Sequence, residues 1–379
     1  MPDQIPLFEI AWDEMEILNA VQSIGRGGYW AKGPFVDKFE SKLETYFGVK
    51  NAIVVNSGTS GLVTALESCG ITPGDEVIIP SMTFIATANA VRLVGAEPVF
   101  ADIDRDTYGL SPGSVRENVT KDTAAIIPVH LYGAPCQIDK IQEIAARHDL
   151  TVIEDAAEAF GSTYNDEMVG TFGDAGVVSF CQNKIVVTGE GGAIITDDDE
   201  IAANARLYRS HGRASEDYFE SVGSGEYVAL GTNLRMSDLT AAIGCAQMDK
   251  VDELIGGRQS AAEYMNEQLT GVNGVRVPRP IDGGTHVYQL YTVEFDPEID
   301  RQVVIDTLDE HDVSSKIYWD TPVHETHYYT ETMDSPSPNT PTTQEVADTI
   351  LSLPIYPDLT PRQADRIVTA VKDGVQRAR

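Results

Sequence analysis

Cysteine is scarce in this chain, with four residues, Cys69, Cys136, Cys181 and Cys245, among 379. They show no paired spacing, and no CxxC or adjacent His/Cys pair occurs. Neither a disulfide framework nor a zinc site is therefore expected, and the thiols read as reduced. Long apolar runs are also missing. No stretch approaches the roughly 20 residues that cross a bilayer, so no membrane partner is expected. The opening Met1-Pro2-Asp3-Gln4-Ile5-Pro6 lacks a basic region followed by an apolar core. A cytoplasmic location is expected rather than secretion.

Basic residues are the third scarcity: 27 Lys and Arg stand against 59 Asp and Glu, a formal charge of −32. The acidic residues are spread along the chain rather than gathered in a tail. A nucleic-acid partner is disfavoured, because a phosphate backbone would be repelled. Self-repulsion of this size destabilises the compact state in dilute salt. Molar salt shortens the screening length to about 3 Å and removes most of that penalty. The charge therefore points to a halophile's cytoplasmic protein, the plainer alternative being an acidic mesophilic enzyme.

The remaining composition is ordinary: 42% of residues are hydrophobic, as in a soluble globular protein with a large core. Short apolar runs at 52–55, 76–80, 97–101, 124–129, 151–154, 176–180 and 193–196 are seven strand candidates. Helical patterns at 61–69, 86–94 and 138–148 lie between them. Strands alternating with helices predict an α/β layer structure with a mostly parallel sheet, and in such sheets ligands collect at the carboxyl ends of the strands. Helical segments at 12–24 and 37–47 precede the sheet, and 237–254 reads as one long helix after it. From about residue 257 the pattern changes. Helices at 258–269, 301–310, 344–351 and 361–376 flank shorter strands such as 287–295. A large domain over 1–256 and a smaller α/β domain over 257–379 are expected, with a mobile loop at 330–343.

Three strand ends carry chemistry. Asn56-Ser57-Gly58-Thr59-Ser60-Gly61 places small and hydroxyl residues at a helix start, where free N–H groups and the helix dipole bind phosphate. The same residues also make a plain helix cap, and they lack the GxGxxG spacing of a dinucleotide fold. Glu154-Asp155-Ala156-Ala157-Glu158 follows an apolar strand. A carboxylate there, with Asp155 the candidate, can pair with a protonated pyridine nitrogen, or simply cap a helix. Lys184 follows Ser179 and precedes Gly189-Glu190-Gly191-Gly192. An amine held past a buried strand can form a Schiff base with an aldehyde cofactor such as pyridoxal phosphate, whereas most lysines are solvated. Ser179 could contact the phosphate. Phe84, after the second strand, could stack on the cofactor ring or belong to the core. His130 and Tyr132 read as structural or pocket-lining, and His211 and Arg213 as binders of a substrate carboxylate or phosphate.

These residues resemble the DegT/DnrJ/StrS family of pyridoxal-phosphate sugar aminotransferases over nearly the whole chain. The resemblance runs through Gly33-Pro34, Ser57-Gly58-Thr59-Ser60, Pro73-Gly74-Asp75-Glu76-Val77-Ile78 and Ile127-Pro128-Val129-His130. It continues through Glu154-Asp155-Ala156-Ala157, Ser179 with Lys184, Gly189-Glu190-Gly191-Gly192, Asn233-Leu234-Arg235-Met236 and Leu353-Pro354-Ile355-Tyr356-Pro357. It implies the aspartate-aminotransferase-like fold, type I, with a seven-stranded mixed sheet, a smaller C-terminal domain and a homodimer with shared active sites. By position, Lys184 would carry pyridoxal phosphate and Asp155 would face its ring nitrogen. Thr59, Ser60 and Ser179 would bind its phosphate, Phe84 would stack on the ring, and Asn233 would reach the partner's cofactor phosphate. Glu158 stands where glutamine is most common and, with Asn183-Lys184-Ile185, resembles the perosamine-synthase branch. A carboxylate beside the cofactor's phenolic oxygen is favourable only if protonated or turned away.

The resemblance implies amination of a nucleotide-linked keto sugar, a 4-keto-6-deoxyhexose, with L-glutamate as donor. Freed Lys184 would act as general base and acid. A sugar dehydratase of the same family is disfavoured, because it typically has histidine at position 184. A non-enzymatic cofactor-binding regulator is the alternative of a different class. Specificity is expected in residues 213–231 and around Tyr318, His324 and His327.

Overall fold

The computed structural model describes residues 4–214, 225–333 and 338–379. Two helices come first, α1 (Glu14–Gly25) and α2 (Pro34–Phe47). A reciprocal capping box between Asp13 and Glu16 starts α1. A proline with preset φ starts α2 after an extended Gly33. Helix α1 packs inside out. Its buried residues are Glu16, Asn19 and Ser23, and Ser23 donates to Asp238 at 2.5 Å. Its outward face carries Ile17, Leu18, Val21 and Ile24, each more than half exposed.

The strands then follow: β1 (Asn51–Val55), β2 (Glu76–Pro80), β3 (Glu97–Ala101), β4 (Thr123–Ile126) and β5 (Thr151–Asp155). A short ribbon, β6 (Thr163–Tyr164) and β7 (Glu167–Met168), precedes β8 (Ala175–Ser179) and β9 (Gly192–Thr196). Seven of these form one mixed sheet in the order β1-β9-β8-β5-β4-β2-β3. They correspond to the seven apolar runs of the sequence. Strand β9 runs antiparallel to both β1 and β8, and the other neighbours are parallel. Six carboxyl ends therefore share one edge. The fourth strand stops at Ile126, short of the expected Val129. Pro128 lacks an N–H for the ladder, and only an isolated bridge joins Val129 to Asp155.

Helices α3 (Gly58–Ser68), α4 (Ile85–Leu93) and α6 (Ile138–His148), as well as α5 (Pro112–Asn118) and α7 (Asp199–Tyr208), cover the sheet. Helix α5 and helix α7 were not expected. Asp198 starts α7 by accepting from the N–H groups of Glu200 and Ile201, a cap signal present in the sequence. Beneath α2, buried Phe39 meets Phe180 with ring centroids 5.0 Å apart. Burial of each such side chain contributes about 1.5–3 kcal/mol.

The expected helix at 237–254 is two helices, α8 (Asp238–Met248) and α9 (Val251–Leu269). The break has a tertiary cause. Asp249 pairs with Lys42, while Lys250 bonds Asp13 at 2.9 Å and Glu16 at 2.5 Å. Helix α9 also continues through Gly256 and Gly257, seven residues ahead of the expected start at 258. A Cβ on Gly257 would lie 2.5 Å from the Pro357 carbonyl oxygen, so glycine there admits a close approach. Residues 256 and 257, the divide between the two expected domains, thus lie inside α9. Its Leu254 and Ile255 pack with the large sheet, and its Ala262, Met265 and Leu269 with a C-terminal cluster.

The C-terminal part contains β10 (Val275–Arg276), β11 (Tyr291–Phe295), α10 (Arg301–Glu310), α11 (His327–Thr332), α12 (Pro341–Thr349), β12 (Ile350–Leu353) and α13 (Pro361–Arg377). The cluster draws on β11, α10, β12 and α13, whereas Tyr329 of α11 packs with residues of the large sheet and Val346 of α12 with Tyr132. The three strands form an antiparallel sheet. Residues 350 and 351, expected to end a helix, begin β12 because they pair with β11. Residues 287–290, expected as strand, instead brace the turn at Tyr132: Val287 N–H bonds the Gly133 carbonyl and Leu290 N–H the Tyr132 carbonyl. Within the expected loop at 330–343, α11 ends and α12 begins, and residues 334–337 lie outside the described residues. So do residues 215–224 of the expected specificity segment.

Candidate active site

The turn from β1 into α3 is a cap with two donors to spare. Ser57 Oγ accepts from Ser60 N at 3.0 Å, and the Ser60 hydroxyl donates to Asn56 Oδ1 at 2.6 Å. Among the described residues the N–H groups of Gly58 and Thr59 have no hydrogen-bond partner. Ser179 ends β8 directly beside them. A Cβ on Gly58 would sit 2.9 Å from Ser179 Cβ, so Gly58 lets the two strand ends close on one another. Thr59, Ser60 and Ser179 are thereby gathered around the helix N-terminus, where an anion is favoured.

Asp155 ends β5 and is 5% exposed. Its Oδ2 accepts from Thr87 Oγ1 at 2.8 Å and its Oδ1 from Ala157 N at 3.2 Å. Burial pushes its carboxyl above the ordinary range, with Thr87, Ala157 and the charge of Lys184 acting against the rise and Glu158 adding to it. Thr87 sits in the first turn of α4, whose N-cap is Phe84. Phe84 is not a core residue. Its ring is 55% exposed and lies 6.2 Å from Trp319.

Lys184 follows β8 in a turn held by its own N–H to the Cys181 carbonyl and by Gln289 Nε2 to the Asn183 carbonyl at 2.5 Å. Its Nζ donates to Glu158 Oε1 at 3.1 Å, and both side chains are nearly buried. The second Glu158 oxygen accepts from Tyr132 N at 3.1 Å. Lys184 is thus no solvated surface lysine. Cys181 Sγ lies 4.0 Å from Glu190 Oε1, and Gln182 is exposed.

The remaining candidates divide. Asn233 is exposed and joined to Ser210 by an isolated bridge, with the neighbouring Leu234 carbonyl accepting from Asn56 N at 2.8 Å. His130 is fully buried between Glu154 Oε2, at 2.8 Å, and Cys136 N, at 3.2 Å, which is a structural post. Tyr132 bonds the Tyr318 carbonyl and stacks near Trp319. His324 Nδ1 lies 3.0 Å from Ser81 Oγ, at the end of β2. His327 is exposed and paired with Glu331, away from these contacts. His211 and Arg213 separate, since His211 is exposed while Arg213 lines a cavity of about 400 Å³. Lys32, Arg206, Arg209 and Arg235 line the same cavity. Burial first, then the neighbouring Arg213 and Arg209, holds Arg235 below the ordinary arginine range. Sequence reasoning missed Thr87, Trp319 and this cationic cavity. Thr87 carried a signal, lying three residues after Phe84 on one helical turn.

A profile of the DegT/DnrJ/EryC1/StrS aminotransferase family matches residues 12–372. The chain belongs to that family. It is 36% identical to the spore coat polysaccharide biosynthesis protein SpsC of Bacillus subtilis, over 100% of this chain and 98% of that one. It is 39% identical to GDP-perosamine synthase of Caulobacter vibrioides, over 89% of this chain and 90% of that one. Among solved structures, S. venezuelae DesV in complex with a ketimine intermediate superposes with a TM-score of 0.92 at 32% identity, covering 99% of this chain and 100% of that chain.

The protein is accordingly a pyridoxal-phosphate-dependent sugar aminotransferase with the type I fold. As a DegT/DnrJ/EryC1/StrS aminotransferase it needs a phosphate cradle, a ring-nitrogen partner and an amine, and its residues fit. The two N–H groups beside Ser179 suit a phosphate. Asp155 is a buried carboxylate whose raised proton affinity a cationic ring nitrogen would relieve. Lys184 is a nearly buried amine that suits the third role, and the open face of Phe84 suits a flat ring.

Proposed function

We propose that this sugar aminotransferase carries the amino group of L-glutamate to a nucleotide-linked keto sugar, a 4-keto-6-deoxyhexose. The observation that carries the reading is the meeting of Lys184, Asp155 and the α3 N-terminus at one sheet edge. The name of the perosamine-synthase relative supports the sugar class, and the five basic residues around the cavity at Arg235 support a substrate bearing phosphates.

In this reading pyridoxal phosphate, when bound, supplies an aldehyde that accepts an amine and a ring that withdraws electrons. Thr59 and Ser60, with Ser179 and the N–H groups of α3, hold the phosphate. Asp155, oriented by Thr87, keeps a proton on the ring nitrogen. Phe84 covers one face of the ring and limits water there. Lys184 Nζ takes a proton from carbon and returns it to a neighbouring atom.

The exposed apolar face of α1 and the exposed Asn233 support a homodimer in which Asn233 serves the partner's site. Among the described residues no helix is long and apolar enough to cross a membrane, and the charge of −32 supports a salt-rich cytoplasm. The test is Lys184→Ala, expected to lose both the visible cofactor–lysine absorbance and turnover. A fully active variant would overturn the reading. Screening nucleotide keto sugars against the pyridoxamine-loaded enzyme in high salt identifies the substrate.

A further inference from the structure

We propose that Glu158 is a positioning residue that stabilises the ammonium form of Lys184 when its freed amine takes up a proton, and so fixes where the moved proton rests. The proposal builds on the reading of Lys184 as the cofactor-bearing amine. Three observations carry it. First, Glu158 is divided between two donors, Lys184 Nζ and Tyr132 N, each at 3.1 Å. Second, the Tyr132 N–H cannot move away. Its residue is 2% exposed and left-handed at φ 59°, its carbonyl accepts from Leu290 N and its phenol is bonded to the Tyr318 carbonyl. Third, Asp155 holds Thr87 and Ala157 rather than the lysine. Glu158 is therefore the carboxylate in contact with Lys184 among the described residues.

Donor and acceptor counting shows what the glutamate does. An ionised carboxylate accepts at both oxygens, so it satisfies the Tyr132 N–H and an ammonium together. A glutamine has one oxygen. Bonded to the Tyr132 N–H, it would turn its own NH₂ toward Nζ, which suits a neutral amine and opposes an ammonium. Turned the other way, it would leave a buried backbone N–H unsatisfied. The residue at 158 thus selects the charge state of the free lysine. The groups facing Glu158 are Lys184, Asp155 and the phenols of Tyr132 and Tyr318, both pushed up by burial and so neutral.

The proton balance is simple. Neutral Lys184 gains a proton when the C–H bond breaks, and the resulting ammonium faces an anion already in place. When the proton is delivered, the N–H bond breaks and the amine is neutral again. Glu158 neither gains nor loses a proton.

The test uses holoenzyme loaded with pyridoxamine phosphate, in which Lys184 is free. A brief acetic anhydride pulse at pH 8, read by peptide mass spectrometry, compares Lys184 with the exposed Lys121 in each sample. Glu158→Gln is expected to label Lys184 about tenfold faster than wild type, because loss of a close opposite charge favours the neutral amine, with Lys121 unchanged. Glu158→Asp, which keeps the charge, is expected to stay within about threefold of wild type on the same scale. Equal Lys184 rates in wild type and Glu158→Gln, or equal acceleration by Asp and Gln, would overturn the proposal. Borohydride reduction of the pyridoxal-loaded wild type tests the underlying reading separately. If the cofactor is fixed elsewhere than on Lys184, that reading fails first.

Discussion

Thr87 donates its hydroxyl to Asp155 Oδ2 at 2.8 Å, and Thr83 Oγ1 lies 2.9 Å behind it. The first turn of α4 thus orients the carboxylate while its cap presents Phe84. A hydrogen bond to a charged group is worth about 1.5–3 kcal/mol. Thr87→Val is expected to weaken cofactor retention by about 10- to 100-fold, since each 1.4 kcal/mol is tenfold. Equilibrium dialysis followed by cofactor absorbance measures it, and undiminished retention would show that Asp155 needs no such support.

Arg235 bonds Ser210 Oγ at 3.1 Å and sits among Arg206, Arg209 and Arg213. Arg209 is paired with Glu40 at 2.5 Å, and the burial of Arg235 and its repulsion by Arg213 and Arg209 favour an anion there. Arg235→Gln is expected to raise KM for the nucleotide sugar about tenfold, a loss at the low end for a charged hydrogen bond. Steady-state kinetics at saturating glutamate should show kcat little changed. An unaltered KM would place the nucleotide elsewhere.

Much of this arrangement was legible because parallel strands are buried on both faces and read as apolar runs. Their carboxyl ends then picked out Ser57 to Ser60, Asp155 and Lys184. What stayed hidden depends on pairs distant in sequence. The Lys184–Glu158 bond requires a backbone N–H from Tyr132, which no side-chain pattern reveals. The break at Asp249 and Lys250 comes from partners on α2 and at the start of α1, not from glycine or proline. The cations of the basic cavity are scattered along the chain: Lys32 ahead of α2, Arg206 and Arg209 at the end of α7, and Arg213 and Arg235 beyond it.

The charge of −32 predicts a salt dependence. Repulsion among carboxylates is screened over about 10 Å at 0.1 M salt and about 3 Å at 1 M. The thermal midpoint is expected to rise steadily between 0.1 and 2 M KCl. A flat response would favour an acidic but salt-indifferent enzyme.

His286 sets a pH limit. Its ring is buried, stacks on Tyr288 at 4.0 Å and accepts from Tyr288 N at 2.9 Å. Burial holds it down to about 3, against about 6.5 in an unfolded chain. Above pH 6.5 both states are neutral and its contribution is complete. As pH falls toward 3 the unfolded chain takes up a proton that the folded one refuses, so stability is lost. At about 1.4 kcal/mol per unit, wild type should lose about 2 kcal/mol more than His286→Gln between pH 7 and 5. Denaturant titrations at the two pH values decide it, and parallel losses would sink the assignment.

Gly244 lies mid-way along α8, and a Cβ there would meet Phe39 Cε1 and Cζ at 2.6 Å. Two effects oppose each other in Gly244→Ala. Helix propensity favours alanine by about 1 kcal/mol. Overpacking costs about 1–3 kcal/mol, and the Phe39 ring cannot swing aside because Phe180 faces it. Overpacking is expected to win, lowering stability by about 1–2 kcal/mol, the upper part of that range less the propensity gain. Phe180 follows Ser179 directly, so cofactor retention should fall with stability. Phe39→Leu removes the colliding ring atoms, and in the double variant most of the Gly244→Ala loss should be recovered, a coupling that a double-mutant cycle reads directly. Additive losses would mean that the helix, not the ring, resists the methyl group.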